Sequence, residues 1–346
     1  MFNRLRHSIK ITQQDATDAA GKVTTKRSKV YIFPYHHEVT VSRSYDVLTD
    51  TAKIVLPKNI NLPVGVELYA GENPIMMRGD IVELSAGYHP NMQVVFKGYI
   101  SKVNSQIPVT ISCEDEMYQL KQQITKENIS EKSLTLKKLL TDTGISTTYE
   151  TKQIEAGLGD YRRDKVTKAF LLQSLRSSHG LLAYFVDKIL YVGLASWGNG
   201  KKHEIVFERD VYDNNLVFLR SDDIKIKVKG KLVVGNTTTE YDYGDNQGDL
   251  RTVYQYGGVK ADLDRTCEKF LSDSKYSGYY GTFTTRLEPV MTHGDIVTIK
   301  SYKDPTRDGD YLIKSVTLTI GVNGGKQKVE LERLLSVGDT EETTQE

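Results

Sequence analysis

The chain has 346 residues, 38% hydrophobic and 26% charged, with 46 basic side chains against 45 acidic ones and a net charge of +1. That length allows two or three domains and more than one sizeable core. The balance of charge excludes the global basic field that marks many nucleic-acid binders, and no apolar run approaches the ~20 residues of a membrane helix.

The first residues, MFNRLRHSIKITQQD, lack the apolar stretch of a secretory signal. The segment Met1–Arg27 is polar and carries Arg4, Arg6, Lys10, Lys22, Lys26 and Arg27. It reads as an arm that packs on a neighbour or as a flexible terminus. From Val30 to Pro57 the text is strand-like: HEVTVSRSYD alternates apolar and polar side chains, and AKIVLP stops at Pro57, which cannot donate to a ladder. NLPVGVELY, GDIVELSAGY, MQVVFKGYISKV and PVTISCED continue the pattern. Short strands with turn signals between them predict a small β-barrel or sandwich.

After Asp115 the pattern changes. EMYQLKQQI predicts a helix. SLTLKKLLTDTGI predicts a second, with Ser133 or Thr135 as its cap, Leu136, Leu139 and Leu140 on one face and Gly144 as its stop. KVTKAFLLQSLRSSHG predicts a third, from Thr167 to Gly180, and LLAYFVDKILYVG a hairpin turning at Asp187-Lys188. Strand texture returns in NNLVFLRSDDIKIKVKGKLVV. Its lysines 225, 227 and 229 share a face that suits either a channel lining that meets phosphates or a solvated edge. A polar, Gly-rich stretch from Thr237 to Gly258 precedes a helix over ADLDRTCEKFLSD. YSGYYGTFTTR resumes strand, and the acidic tail from Gly338 frays.

One element recurs. Gly79-Asp80-Ile81-Val82 returns as Gly294-Asp295-Ile296-Val297, GYISKV as YLIKSV, and a closing strand follows each, PVTISCED and KVELER; the second copy turns through Val322-Asn323-Gly324-Gly325. Glycine supplies the turn angles and aspartate bonds back to the backbone. The adhesion tripeptide Arg78-Gly79-Asp80 is therefore read as a turn before a strand, since His293 replaces Arg78 in the second copy. Two related β-barrels in one chain would give six similar units from three chains.

Candidate chemistry is sparse. Glu114-Asp115-Glu116 groups three acids, but neighbours on a strand diverge and no distant partner acid stands out, so a strand-to-helix junction with Glu114 or Asp115 as cap is the simpler reading. His36-His37-Glu38 lacks the helical spacing of a zinc site. Gly21-Lys22-Val23 and WGNGKK lack phosphate-loop spacing, and no Gly-x-Ser-x-Gly elbow occurs. Cys113 and Cys267 read as core residues of a protein made in a reducing compartment. No catalytic, cofactor or metal residue is assigned.

The runs GDIVELSAGY, VFKGYISKV and PVTISCEDEMYQLKQ resemble the first barrel of phage tail baseplate hub proteins of the late-control-protein-D-like family. YDVLTDTAKIVLP resembles the family's opening strands, NNLVFLRSDDIKIKVKG the start of its second barrel, and the text from GYYGTFTTR to KVEL its end. The resemblance spans roughly Val30 to Leu335 and rests on the order of soft motifs. It implies an α+β, mostly β fold: two tube-type barrels with an inserted α+β domain. The expected division is a first barrel with its arm over 1–117, an α+β middle over 118–212 and the start of the second barrel over 213–236. An insertion belonging with the middle follows over 237–285, then the rest of the second barrel over 286–336 and a tail over 337–346. It also implies a homotrimeric, non-enzymatic hub in the virion tail, assembled in the host bacterial cytoplasm, without stable membrane insertion. Partners would be the tail tube, a central spike on a separate polypeptide, and other baseplate or tape-measure proteins, with DNA passing through the lumen. A cell-wall-degrading tail enzyme and a host-glycan-binding tail protein, the latter prompted by 21 tyrosines, are the alternatives.

Overall fold

The computed structural model describes residues 5–17, 23–34, 36–57, 68, 74–88, 90–104, 108–193, 201–234, 237–322 and 324–337. The expected strand at NLPVGVELY, apart from Leu68, the apex of the Val322–Gly325 turn, the stretch from Trp197 to Gly200, Gly21-Lys22 and the acidic tail lie outside them. The protein is α+β and mostly β. A 13-stranded sheet carries both copies of the repeated element.

In the first copy, Ile81–Tyr88, Gln93–Asn104, Thr110–Glu114, Thr51–Val55 and Glu38–Ser44 follow one another across the sheet, each antiparallel to the next. Leu5–Thr12 adds to the far side of Ile81–Tyr88 through eight paired residues, Leu5 opposite Tyr88 to Thr12 opposite Ile81. Within the N-terminal stretch Leu5–Thr12 is thus a structural strand and not a free arm. Its alternation puts Ile9 and Ile11 in the core.

The second copy repeats the layout. Ile296–Lys300, Gly309–Gly321, Gly324–Val337, Thr282–Arg286 and Val211–Asn214 occupy the matching places. Here the strand added beside Ile296–Lys300 is Lys202–Val206, and it runs parallel. Among the described residues the terminal strands of the sheet do not pair with each other, so neither copy closes into the expected hydrogen-bonded barrel. One hydrophobic cluster, from Ile9 and Val41 to Phe283 and Leu331, runs through both copies.

The middle of the chain has its own core around Leu136, Leu139, Leu171 and Leu175. The helix Leu136–Asp142 starts at Thr135, whose hydroxyl accepts the Lys138 amide, and Gly144 leaves it at φ +69°. The helix Lys168–His179 starts at Thr167 and stops at left-handed Gly180. Leu182–Val186 and Ile189–Gly193 form the hairpin across Asp187. Ile226–Val234, expected to open the second barrel, instead lies between Thr237–Gly244 and Asp249–Tyr256 in a separate three-stranded sheet. The helix Lys260–Ser274 packs Leu263 and Cys267 onto Val228 there.

Candidate functional site: the seam between two repeats

The two Gly-Asp turns are nearly superposable in their bonding. Gly79 and Gly294 sit at φ +92° and +80°, where a Cβ is disfavoured. Gly79 N–H donates to Ile100 O and Gly294 N–H to Ile313 O, both at 2.8 Å. Ile100 N–H and Ile313 N–H return to Asp80 O and Asp295 O, both at 2.9 Å. Each buried carboxylate also caps its turn, Asp80 accepting from Met77 N–H at 2.7 Å and Asp295 from Thr292 N–H at 3.1 Å. The long strand after each turn has an irregularity at the same place, between Ile100 and Lys102 and between Ile313 and Ser315.

The adhesion tripeptide is therefore closed to a partner. Asp80 is 0% exposed. Arg27 holds it with both guanidinium nitrogens, at 2.8 and 2.9 Å, and Gln14 N–H adds a further bond at 2.8 Å. Arg78 turns away to donate to the Tyr118 hydroxyl at 3.2 Å. Its counterpart His293 is fully buried, bonds Asp50 at 3.1 Å and meets Tyr184 edge-on at 4.9 Å. Both side chains thus tie a turn to the helical and hairpin elements that follow the first repeat.

The repeats meet edge to edge. The strand Gly309–Gly321 is longer than its neighbour Ile296–Lys300, which covers one edge only as far as Leu312. From Ser315 to Gly321 that edge pairs antiparallel with Glu38–Ser44, Ser315 opposite Ser44 and Gly321 opposite Glu38. Val39, Val41, Val316, Leu318 and Ile320 point inward from this seam and are at most 2% exposed. Burial of such side chains stabilises by ~1.5–3 kcal/mol each. Beside the seam Asp50 and Asp115 exchange hydrogen bonds: Asp50 N–H donates to the Asp115 carboxylate at 3.0 Å, and Asp115 N–H to Asp50 O at 3.1 Å. Burial, and then the neighbouring Asp50 carboxylate, push the Asp115 carboxyl well above the usual range.

The acids grouped in the sequence have separate structural tasks. Glu114 pairs with Lys121 at 2.6 Å. Asp115 caps the helix Met117–Gln122 by accepting Met117 N–H at 2.9 Å. Glu116 accepts from the Tyr99 and Tyr149 hydroxyls at 3.2 and 3.3 Å. Burial, with Glu116 next, raises Tyr99 to about 12. A recess of about 360 Å³ near Leu134 is bordered by Glu131 and Asp142, and both pair with Lys138. His36 and His37 diverge: His36 is buried against His7, ring centroids 3.8 Å apart, and His37 is exposed. Burial, then the neighbouring His7 and His37, lower His36 to about 4. Among the described residues no group of three or more His, Cys, Asp or Glu is placed to hold a metal ion.

Two of the lysines of IKIKVK already have acidic partners. Lys227 pairs with Asp242 at 2.8 Å and Lys229 with Glu240 at 3.3 Å, and Lys231 joins Glu240 at 2.7 Å. The cross-strand acids of Thr237–Gly244 make this a mixed-charge face. Cys113 and Cys267 are buried thiols, 1% and 0% exposed, and burial raises both. What the sequence did not reveal was the seam itself: Glu38–Ser44 carries the alternation of any half-buried strand, which does not name its partner.

Comparison with known proteins places this architecture. No family model and no curated protein sequence matches the chain. Solved structures do. The tail protein from Neisseria meningitidis MC58 aligns at a TM-score of 0.59 and 14% identity, over 94% of this chain and 96% of that one. The 43 kDa tail protein of prophage MuSo2 from Shewanella oneidensis aligns at 0.54 and 14%, over 96% and 98%. A component of the E. coli type VI secretion system aligns at 0.50 and 9%, over 86% and 73%. The chain shares the fold of these phage tail proteins and of this secretion component.

Proposed function

We propose that the protein is a structural hub of a phage tail tip or baseplate. Three chains form a ring of six similar β-rich repeats, which joins a sixfold tail tube on one side to a threefold central spike on the other. The observation that carries this reading is the seam: one repeat already accepts the other edge to edge, so the chain contains a worked example of the contact a ring needs. The fold it shares with tail proteins supports the same assignment. Its mechanism is packing. Strand pairing and buried apolar contacts carry load, and obligate interfaces of this class bury upward of ~2,000 Å². Tube, spike and tape-measure or other baseplate proteins are the partners in this reading, with DNA crossing the lumen. The site of action is the virion tail, after assembly in the host bacterial cytoplasm.

The reading is checked by solution mass at high protein concentration together with a peptidoglycan zymogram. A trimer without clearing supports the hub. Clearing by purified protein would return the acids around Glu114 to consideration and overturn a purely structural role.

A further inference from the structure

The seam has a vacant counterpart. In the first repeat the row Thr40, Lys53, Ser112, Lys102 runs across four neighbouring strands. In the second repeat the matching row is Asn215, Thr282, Glu330, Ser315: Asn215 N–H donates to Thr282 O at 2.8 Å, and the other members are cross-strand partners. The rows equate Glu38–Ser44 with Asp213–Leu219 and Ser315 with Lys102. The equivalence extends outward, because Ser42 faces Thr51 as Val217 faces Tyr280.

Within the chain Glu38–Ser44 is covered on both edges, by Thr51–Val55 and by Ser315–Gly321. Its equivalent is covered, among the described residues, on one. Among the described residues no strand pairs with the outer edge of Val211–Asn214 or of Val217–Leu219. Tyr212 and Val217 stand 62% and 56% exposed there. The receiving edge, among the described residues, is also uncovered. Ile81–Tyr88 pairs with Gln93–Asn104 only up to Tyr99, the Gly-Asp turn satisfies Ile100, and at Lys102 and Val103 no described strand takes the side that Glu38–Ser44 takes at Ser315 and Val316. An uncovered strand edge is a template for another strand.

We propose that the Phe218–Leu219 end of the strand Val217–Leu219 in one molecule pairs antiparallel with the edge at Lys102–Val103 of a second copy, in the register of the internal seam: Leu219 opposite Lys102 and Phe218 opposite Val103. This inference rests on the ring reading and specifies its contact. Each molecule has one giving edge and one receiving edge, so the contact is head to tail and closes into a ring where the rotation permits.

The test is a cysteine pair in the full chain, Lys102→Cys with Leu219→Cys, oxidised mildly and run without reductant. Directly opposed residues on paired strands have the Cα spacing a disulfide needs. Covalent dimers and trimers from the double variant, and none from either single variant, are expected. Ser42→Cys with Thr317→Cys serves as the internal control and should close within one chain. A trimer by mass that does not cross-link, while the control does, overturns this contact and leaves the ring standing. A monomer at high concentration without cross-links overturns both. Hydrogen exchange on the unmodified chain gives an independent readout. Of the amides of Lys102, Val103, Phe218 and Leu219, those that point away from the neighbouring strand of their own chain should gain protection in the oligomer over the diluted protein, and unchanged exchange at all of them contradicts the proposal.

Discussion

The two Gly-Asp turns share a backbone and differ in which side chain partners the buried aspartate. Asp80 is gripped by the Arg27 guanidinium and accepts two further backbone N–H groups. Asp295 receives the His203 imidazole at 2.9 Å and Thr292 N–H, and its Oδ1 atom has no hydrogen-bond partner. The difference teaches that the turn is specified by glycine and aspartate alone. The partner is supplied from whichever segment lies alongside, a loop beyond the N-terminal strand in one repeat and a parallel strand in the other.

The largest expected effect follows from that contrast. Asp80→Ala strands a guanidinium that is 8% exposed. Removing one partner of a buried pair costs ~3–5 kcal/mol. Chemical denaturation should therefore show a large loss for Asp80→Ala and a smaller one, ~1–3 kcal/mol, for Asp295→Ala. Equal losses would break the asymmetry.

Acid probes the first repeat next. His36 in the folded state binds its proton only near pH 4 against an ordinary value of 6.5. A base held below its unfolded pKa contributes stability that is full above 6.5 and is lost as pH falls toward 4, up to ~3 kcal/mol. Thermal midpoints measured across that window should fall, and His36→Gln should flatten the fall.

The glycines are expected to behave alike. Gly79→Ala and Gly294→Ala each force a Cβ into left-handed backbone, ~1–2 kcal/mol, and matching losses in denaturation would sharpen the equivalence of the turns. The smallest effect lies outside the repeats: Lys231→Ala removes a half-buried surface ion pair with Glu240, and denaturation should register at most a slight loss, below that of either glycine variant.

Much of this was legible in the sequence because it is local. The Gly-Asp repeat, the Thr135 and Thr167 caps, the glycine stops and the Asp187 hairpin all follow from side chains acting on their own backbone. The failures are of pairing. LRHSIKIT alternates as a strand should, yet its charge made it read as an arm; only the partner Ile81–Tyr88 turns Ile9 and Ile11 into core. IKIKVK is a strand only from Ile226, and it lies in a separate sheet rather than in the second repeat, because alternation fixes which face is buried and not which strand lies beside it. The seam joins segments far apart in the chain, and the vacant edges are visible only once the covered one is seen.

The most direct test of the account is negative-stain imaging of the purified protein beside its solution mass. The account predicts rings of three 39.1 kDa chains with six lobes around an opening. A stable dimer, or a trimer with three lobes, would contradict it, because the two repeats would then not be equivalent members of one ring.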